Sequence, residues 1–426
     1  MAKTAVEKII GAHAGQDVAA GDVVTARVDR VLLHDVTGPI ALDQFEAMGA
    51  RRLADPDAVV LVNDHIAPAK DVVSATNLAR MRDFATAHGA RLFDAGAGIE
   101  HTLLPEQGLV APGGLVIGTD SHTCTAGAFG ALGVGLGSSD IAAAMALGSF
   151  WLPVPATIRV DFRGVPGRFV AGKDLILAVL GRIGCDGSLD RALEFTGEGI
   201  GALGMEARMA LCNMAVEASA TTCFVPPDAA TRAWAEAKGV AAHYVWSDAD
   251  AVWDSEIAID LAAVGPLCAR PFSPGNVASV EQVVREVGPL AIQQVYIGNC
   301  SNGTLTDLRQ AASVLRGRRV APGVTAIAVP ATRAIYRAAL AEGVIDTLLE
   351  AGAIIGPPTC GACAGLHMGV LAAGQRAVAT INRNFRGRMG AADAEIYLAN
   401  AYVAAACAVA GRLAHPAEVM GEEGPG

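Results

Sequence analysis

What most constrains this chain is a repeated local pattern, in which a short apolar run breaks at once into a polar or glycine-rich cluster. "AVVLVN" runs into Asp64-His65, and "GLVIG" into "TDSHTCTAG". "QQVYIG" leads to "NCSNG", "AGAIIG" to "PPTCGAC", and "RAVAT" to "INRNFRGR". Strands of a parallel sheet are covered by helices on both faces, so they read as continuous apolar runs rather than alternating ones. Helical patterns such as "TDLRQAASVLRG" and "ATRAIYRAALAEG" lie between the runs. This alternation predicts an α/β chain with largely parallel sheets, and places its chemistry just beyond the carboxyl ends of the strands.

At 426 residues the chain exceeds one ordinary domain. Two Pro-rich shifts, "WLPVPATIRVDFRGVPG" and "RPFSPGNVASVEQV", predict breaks near 155 and 272. Three α/β domains are therefore expected. Residues 1–155 carry the Asp-His and Asp-Ser-His loops, 156–272 carry Glu194, and 273–426 carry the paired cysteines and "NRN". A net charge of −11, with no basic run, argues against a nucleic-acid surface or an anionic membrane as the main partner. The N-terminus has no apolar core of signal-peptide length. Ile141–Ile158 is interrupted by Pro153 and Pro155, and "IYLANAYVAAACAVAG" reads as a buried helix. A cytoplasmic protein is expected.

The nine cysteines are an odd, scattered set, unlike a secreted disulfide framework. Cys360 and Cys363 form a C-x-x-C in a loop of glycine and proline, a pattern that serves zinc, a redox disulfide, iron–sulfur or nothing. Cys300, in "YIGNCSNGT", ends another apparent strand. Three thiolates on two strand-end loops suffice for three irons of a [4Fe–4S] cluster, leaving one iron open. Electron-transfer clusters usually take four cysteines, whereas an open iron can act as a Lewis acid. His367 follows Cys363 by four residues and would complete a Cys₃His zinc site instead. Asp64-His65, "DSH" at 120–122 and His101 each bring an imidazole near a carboxylate, an arrangement that fixes the tautomer and readies the ring to donate a proton. The remaining cysteines read as buried apolar residues, with Cys124 near enough to His122 to line a pocket. The glycine-rich "GAFGALGVGLG" does not follow a strand directly, so it reads as close packing rather than a phosphate loop.

With these segments in view, the sequence resembles the aconitase superfamily, and within it the large subunits of the two-chain isopropylmalate and homoaconitate dehydratases. The likeness rests on "DH" at 64–65, "HTLLPEQGLVAPGGLVIGTDSHTCTAGAFGALGVGLGSSD", "GMEARMALCNMAVEA", "IGNCSNG", "TCGACAGLHMG" and "NRNFRGRMG", and covers nearly the whole chain. It implies a [4Fe–4S] cluster held by Cys300, Cys360 and Cys363 with one open iron, in a cleft among aconitase-like domains. It implies His65, backed by Asp64, as the acid that protonates a departing hydroxyl. His101 would pair with Asp120, and His122 with Glu194, which stands eighteen residues before Cys212. Asn382, Arg383 and Arg388 would contact cluster and substrate, Ser121 a substrate carboxylate, and His34 the pocket.

The implied activity is dehydration and rehydration of a hydroxy diacid. 3-Isopropylmalate, in leucine biosynthesis, is the leading substrate; homoaconitate or a methyl-substituted malate are the alternatives. The Gly-Ser-Ser-Arg turn of the swivelling fourth domain in single-chain members has no counterpart here, since "GSSD" at 137–140 lacks the arginine. The serine base and an extra arginine are therefore expected from a separate small subunit. Asn299, Ser301 and Thr304 depart from the family pattern, which bears on substrate choice. Readings of another class are an iron-sensing RNA-binding regulator and a zinc-stabilised structural protein.

Overall fold

The computed structural model describes residues 2–421 and divides into two compact units. The first comprises the chain up to Ala95, Glu100–Arg163 and Ser188–Ile259; the second comprises Gly96–Ile99, Gly164–Gly187 and the chain from Asp260. These units cut across the threefold division expected from the sequence, which remains a proposal.

The first unit contains a five-stranded sheet built from β1 (Arg30–His34), β2 (Val59–Val62), β3 (Arg91–Phe93), β4 (Leu115–Gly118) and β5 (Leu132–Gly135). The spatial order is β3-β2-β1-β4-β5, and every pairing is parallel. β2 and β4 are buried along their whole length, which is why their sequences are apolar runs without alternation. Val31, Leu33, Val59, Leu61, Leu115 and Ile117 join one core with Phe45, Met81 and Phe84 of the covering helices Gly38–Ala47 and Val72–His88. Asp71 caps the longer helix by accepting from the Ser74 amide, and Gly89 ends it in the left-handed conformation. A second sheet contains β6 (Ala156–Arg163), β7 (Arg191–Thr196), β8 (Thr222–Phe224) and β9 (Ser255–Asp260), in the order β8-β7-β6-β9.

The glycine-rich stretch is the close packing expected of it. A Cβ on Gly127 would stand 2.3 Å from the Cys223 carbonyl oxygen, and one on Gly133 only 1.9 Å from that of Thr123.

The second unit is built on a seven-stranded sheet. Its strands are β10 (Leu267–Ala269), β11 (Val277–Ser279), β12 (Gln294–Gly298), β13 (Thr325–Val329), β14 (Ile354–Ile355), β15 (Arg376–Ala379) and β16 (Glu395–Leu398). The order is β11-β10-β16-β15-β12-β13-β14. The run from β16 to β14 is parallel, and β10 and β11 add an antiparallel edge. The Ala-rich segment forms the helix Ala401–Ala410, capped by Asn400 and mostly buried, as its composition predicts. No helix among the described residues is long and apolar enough to cross a membrane.

Candidate active site

In the first unit, parallel strands bring their carboxyl ends to one edge, and the loops leaving that edge carry the imidazoles. β1 ends on His34, β2 runs into Asn63-Asp64-His65, and β4 into Thr119-Asp120. Asp120 then caps the 3₁₀ helix Ser121–Phe129, so Ser121 starts that helix half-buried. Asp64 binds His65 Nδ1 through one oxygen at 2.7 Å and accepts the Glu100 amide through the other at 2.8 Å. Asp35 accepts the amides of His65 and Ile66 at 2.9 and 3.0 Å, fixing the turn from below. Burial first, then the charge of Asp64, pushes the Asp35 carboxyl up to about 6.

His34 stacks on His65 with ring centroids 4.0 Å apart. The Val36 amide donates to His34 Nδ1, and the Thr37 hydroxyl lies 2.8 Å from Nε2. Burial, then repulsion from His65, pulls His34 down to about 3, so this ring is neutral at physiological pH.

Asp120 is the hub of the group. Its Oδ1 lies 3.0 Å from His101 Nε2 and 3.1 Å from His122 Nδ1, and accepts the His122 amide at 2.6 Å. His65 Nε2 and His34 Nε2 lie 3.6 and 3.8 Å from Oδ2. Burial alone would raise this carboxyl, but the hydrogen bonds from His101, His122 and His65 hold it well below the usual range.

The expected partner of His122 is corrected by the structure. His122 Nε2 meets Glu217 Oε1 at 3.0 Å. Glu194 instead accepts the Ser247 hydroxyl at 2.7 Å, and burial pushes its carboxyl up to about 7. Parallel β7 carries Glu194 in its interior, whereas Glu217 sits in the short turn Met214–Ala218 that follows the helix Met205–Asn213. Glu217 lies inside the quoted "CNMAVEA" segment, five residues after Cys212, so its position was readable but its pairing was not.

Glu100 was also missed. It is fully buried, and neither carboxyl oxygen has a hydrogen-bond partner among the described residues. His101 Nε2 is 3.5 Å from its Oε1. Burial, reinforced by Asp64 and Asp120, holds it well above the usual carboxylate range. One ligand atom from each of His34, His65, Glu100 and Asp120 lies within 4.8 Å of the others.

In the second unit, β12, β14 and β15 end at one edge of the parallel run, which is where the thiols lie. β12 ends at Gly298, whose φ of 148° admits only glycine easily, and Asn299 follows at φ 117°. The Asn299 side chain repairs that turn by accepting the amides of Ser301 and Asn302 at 3.0 and 2.7 Å. Cys300 sits in the turn, buried, and the Asn382 amide donates to its sulfur at 3.4 Å. Asn382 is held by Asn299 Nδ2 at 2.9 Å, and the loops after β12 and β15 are further tied by Thr380 donating to the Gly298 carbonyl. After β14, Cys360 precedes and Cys363 lies within the short turn Gly361–Ala364, which Gly365 closes at φ 65°. Both thiols are buried, and the Arg388 guanidinium donates to Cys363 Sγ at 3.6 Å. Arg383, next to Asn382, is half-buried. All nine cysteines are free thiols. Cys124 donates to the Cys212 carbonyl at 3.3 Å and is a core residue. His367 Nε2 lies 3.4 Å from the Thr359 hydroxyl.

The donor set fits an iron–sulfur cluster. Three buried thiols lie in loops at one sheet edge, and two of them receive N–H donors that favour the thiolate form.

An α/β architecture with buried thiols at one parallel edge and paired imidazoles and carboxylates at another is that of an aconitase-like class, and a solved fold agrees. The Thermococcus kodakaraensis aconitase X structure aligns over 89% of each chain with a TM-score of 0.50 at 16% identity. Residues 7–411 match the Aconitase family (aconitate hydratase). The chain belongs to that family. The Rubrobacter xylanophilus protein named 3-isopropylmalate dehydratase large subunit 2 is 51% identical over 99% of both chains. The 3-isopropylmalate dehydratase large subunit of Moorella thermoacetica is 50% identical over 99% of this chain and all of its own.

Proposed function

We propose that this chain is the cluster-binding large subunit of a hydro-lyase that isomerises a hydroxy diacid by dehydration and rehydration, with 3-isopropylmalate, in leucine biosynthesis, as its substrate. The observation that carries the reading is the coexistence, in a chain about half identical to such large subunits over its full length, of the buried thiol set and the Asp120-centred imidazole set. Cys300, Cys360 and Cys363 would hold a [4Fe–4S] cluster, which when bound supplies an open Lewis-acidic iron.

The protein's own groups do the rest. His65 delivers a proton to the departing hydroxyl, its Nδ1 tied to Asp64 so that Nε2 is the reactive edge. His101 and His122 are held against Asp120, and His122 also against Glu217, which fixes both rings for handling the released water. Arg383 and Arg388 bind substrate carboxylates through charge-assisted bonds, and Asn382 and Arg388 also steady the sulfurs. Ser121 touches a carboxylate, and the neutral His34 lines the pocket without adding charge. Abstracting the carbon-bound proton needs a base, which the reading assigns to a serine of a small subunit that also brings an arginine. Free thiols throughout suit the reducing cytoplasm.

The test is an anaerobic assay of the purified chain, alone and reconstituted with its small subunit, on 3-isopropylmalate, homoaconitate and a methyl-substituted malate. The pair is expected to form unsaturated diacid fastest from 3-isopropylmalate, and the chain alone to form none. A pair inert on all three ends the enzymatic reading, and robust turnover by the chain alone ends the two-subunit part of it.

A further inference from the structure

Lys173 is the second residue of the helix Gly172–Ile183 and is fully buried. A lysine is poorly placed there twice over: the amino end of a helix repels cations, and an ammonium taken out of water loses its hydration. Nothing in the mechanism above uses it. Its Nζ donates to Asn302 Oδ1 at 3.2 Å. Asn302 lies two residues beyond Cys300 in the same turn; its amide is held by Asn299, and its side-chain NH₂ donates to Asp307 at 3.2 Å.

Burial is the largest influence and pulls Lys173 down to about 8; Asp307, the thiols of Cys300 and Cys363, and Asp174, in that order, act against it and favour the charged form. The two carboxylates are also engaged elsewhere. Asp307 accepts the amide and hydroxyl of Thr304 in a capping box, and Asp174 accepts the Ala171 and Leu267 amides and the Asn400 side chain. The two cysteines are thus the groups around the ammonium whose charge depends on what they hold. Electrostatic coupling is mutual, so a cation stabilised by thiolates stabilises them equally.

We propose that Lys173 is a positioning residue for the cluster, a buried ammonium tied to the Cys300 turn that offsets the negative charge of the ligating thiolates and keeps the cluster bound. This rests on the cluster-binding reading above. Arg388 touches sulfur directly from a half-buried position, whereas Lys173 acts through the turn that carries Cys300 and is out of reach of solvent.

The experiment compares the cluster-loaded wild-type chain with K173M, which keeps the length of the stem and removes the charge, and with K173Q should K173M fold poorly. Two quantities are read anaerobically: the rate at which cluster absorbance decays under an iron chelator, and the midpoint potential of the cluster by EPR-monitored titration. The variants are expected to lose the cluster about tenfold faster and to show a more negative potential, because the reduced cluster loses its nearby cation. A merely structural lysine would leave the potential where it is. Decay within twofold of wild type at an unchanged potential, in a folded and loaded variant, overturns the inference alone. A wild-type chain that takes up no iron and sulfide overturns the inference together with the reading beneath it.

Discussion

At the carboxyl edge of the five-stranded sheet, one carboxylate gathers imidazoles around it. Asp120 faces His101, His122, His65 and His34, with the buried Glu100 close by. At the corresponding edge of the seven-stranded sheet the polarity is inverted, because sulfurs sit beneath the N–H groups of Asn382 and Arg388 with a buried ammonium nearby. The same architectural position holds paired imidazoles and carboxylates in one unit and buried thiols in the other. The contrast teaches that a parallel sheet edge fixes where chemistry sits, while the loop residues fix its kind.

Damage on one side should leave the other readable. The largest effect is expected from Cys300→Ser, which should drop iron and sulfide from about four per chain to below about one and abolish turnover with the small subunit; metal and sulfide analysis of the anaerobically purified variant measures it, and full cluster content would break the assignment. Next comes the imidazole side. Glu217→Gln should slow the reconstituted enzyme by about 100-fold while the cluster absorbance stays at the wild-type level, whereas Glu194→Gln should change the rate by less than about twofold. Reversed sensitivities would restore Glu194 as the partner of His122.

The smallest effect concerns stability. Burial lets Glu194 keep its proton up to about pH 7 in the folded chain, against an ordinary value of 4.5. The folded state therefore binds the proton more tightly than the unfolded state. The resulting stabilisation is full below pH 4.5 and is lost as pH rises through 7. Glu194→Gln keeps an acceptor for Ser247 and never ionises, so it should unfold with the wild type at pH 4 and later than it at pH 8. The expected gap at pH 8 is up to about 3 kcal/mol by denaturant titration. An equal gap at both pH values would remove ionisation as its cause.

The sulfur side was the more legible from sequence because its geometry is local. Cys360 and Cys363 share one turn, and Cys300 carries its own turn chemistry in Gly298 and Asn299. The parallel sheets were equally legible, since strands buried on both faces leave unbroken apolar runs such as Val59–Val62. The imidazole side depends on pairs far apart in the chain. His122 and Glu217 are 95 residues apart, and counting intervals within a motif cannot tell a carboxylate on a strand interior from one on the turn beyond a helix. Glu100 and Asp35 escaped for a different reason. Each is the immediate neighbour of a residue already singled out, and what gives it importance is burial, which composition does not reveal.

The contacts at Gly127 and Gly133 have a practical corollary for anyone wishing to re-tool this catalyst. Even one methyl group at either place would overlap a main-chain oxygen, of Cys223 or of Thr123. Libraries aimed at a new substrate range should leave both glycines untouched. Variants recovered with changes at these two glycines should be rare, whatever the selection rewards.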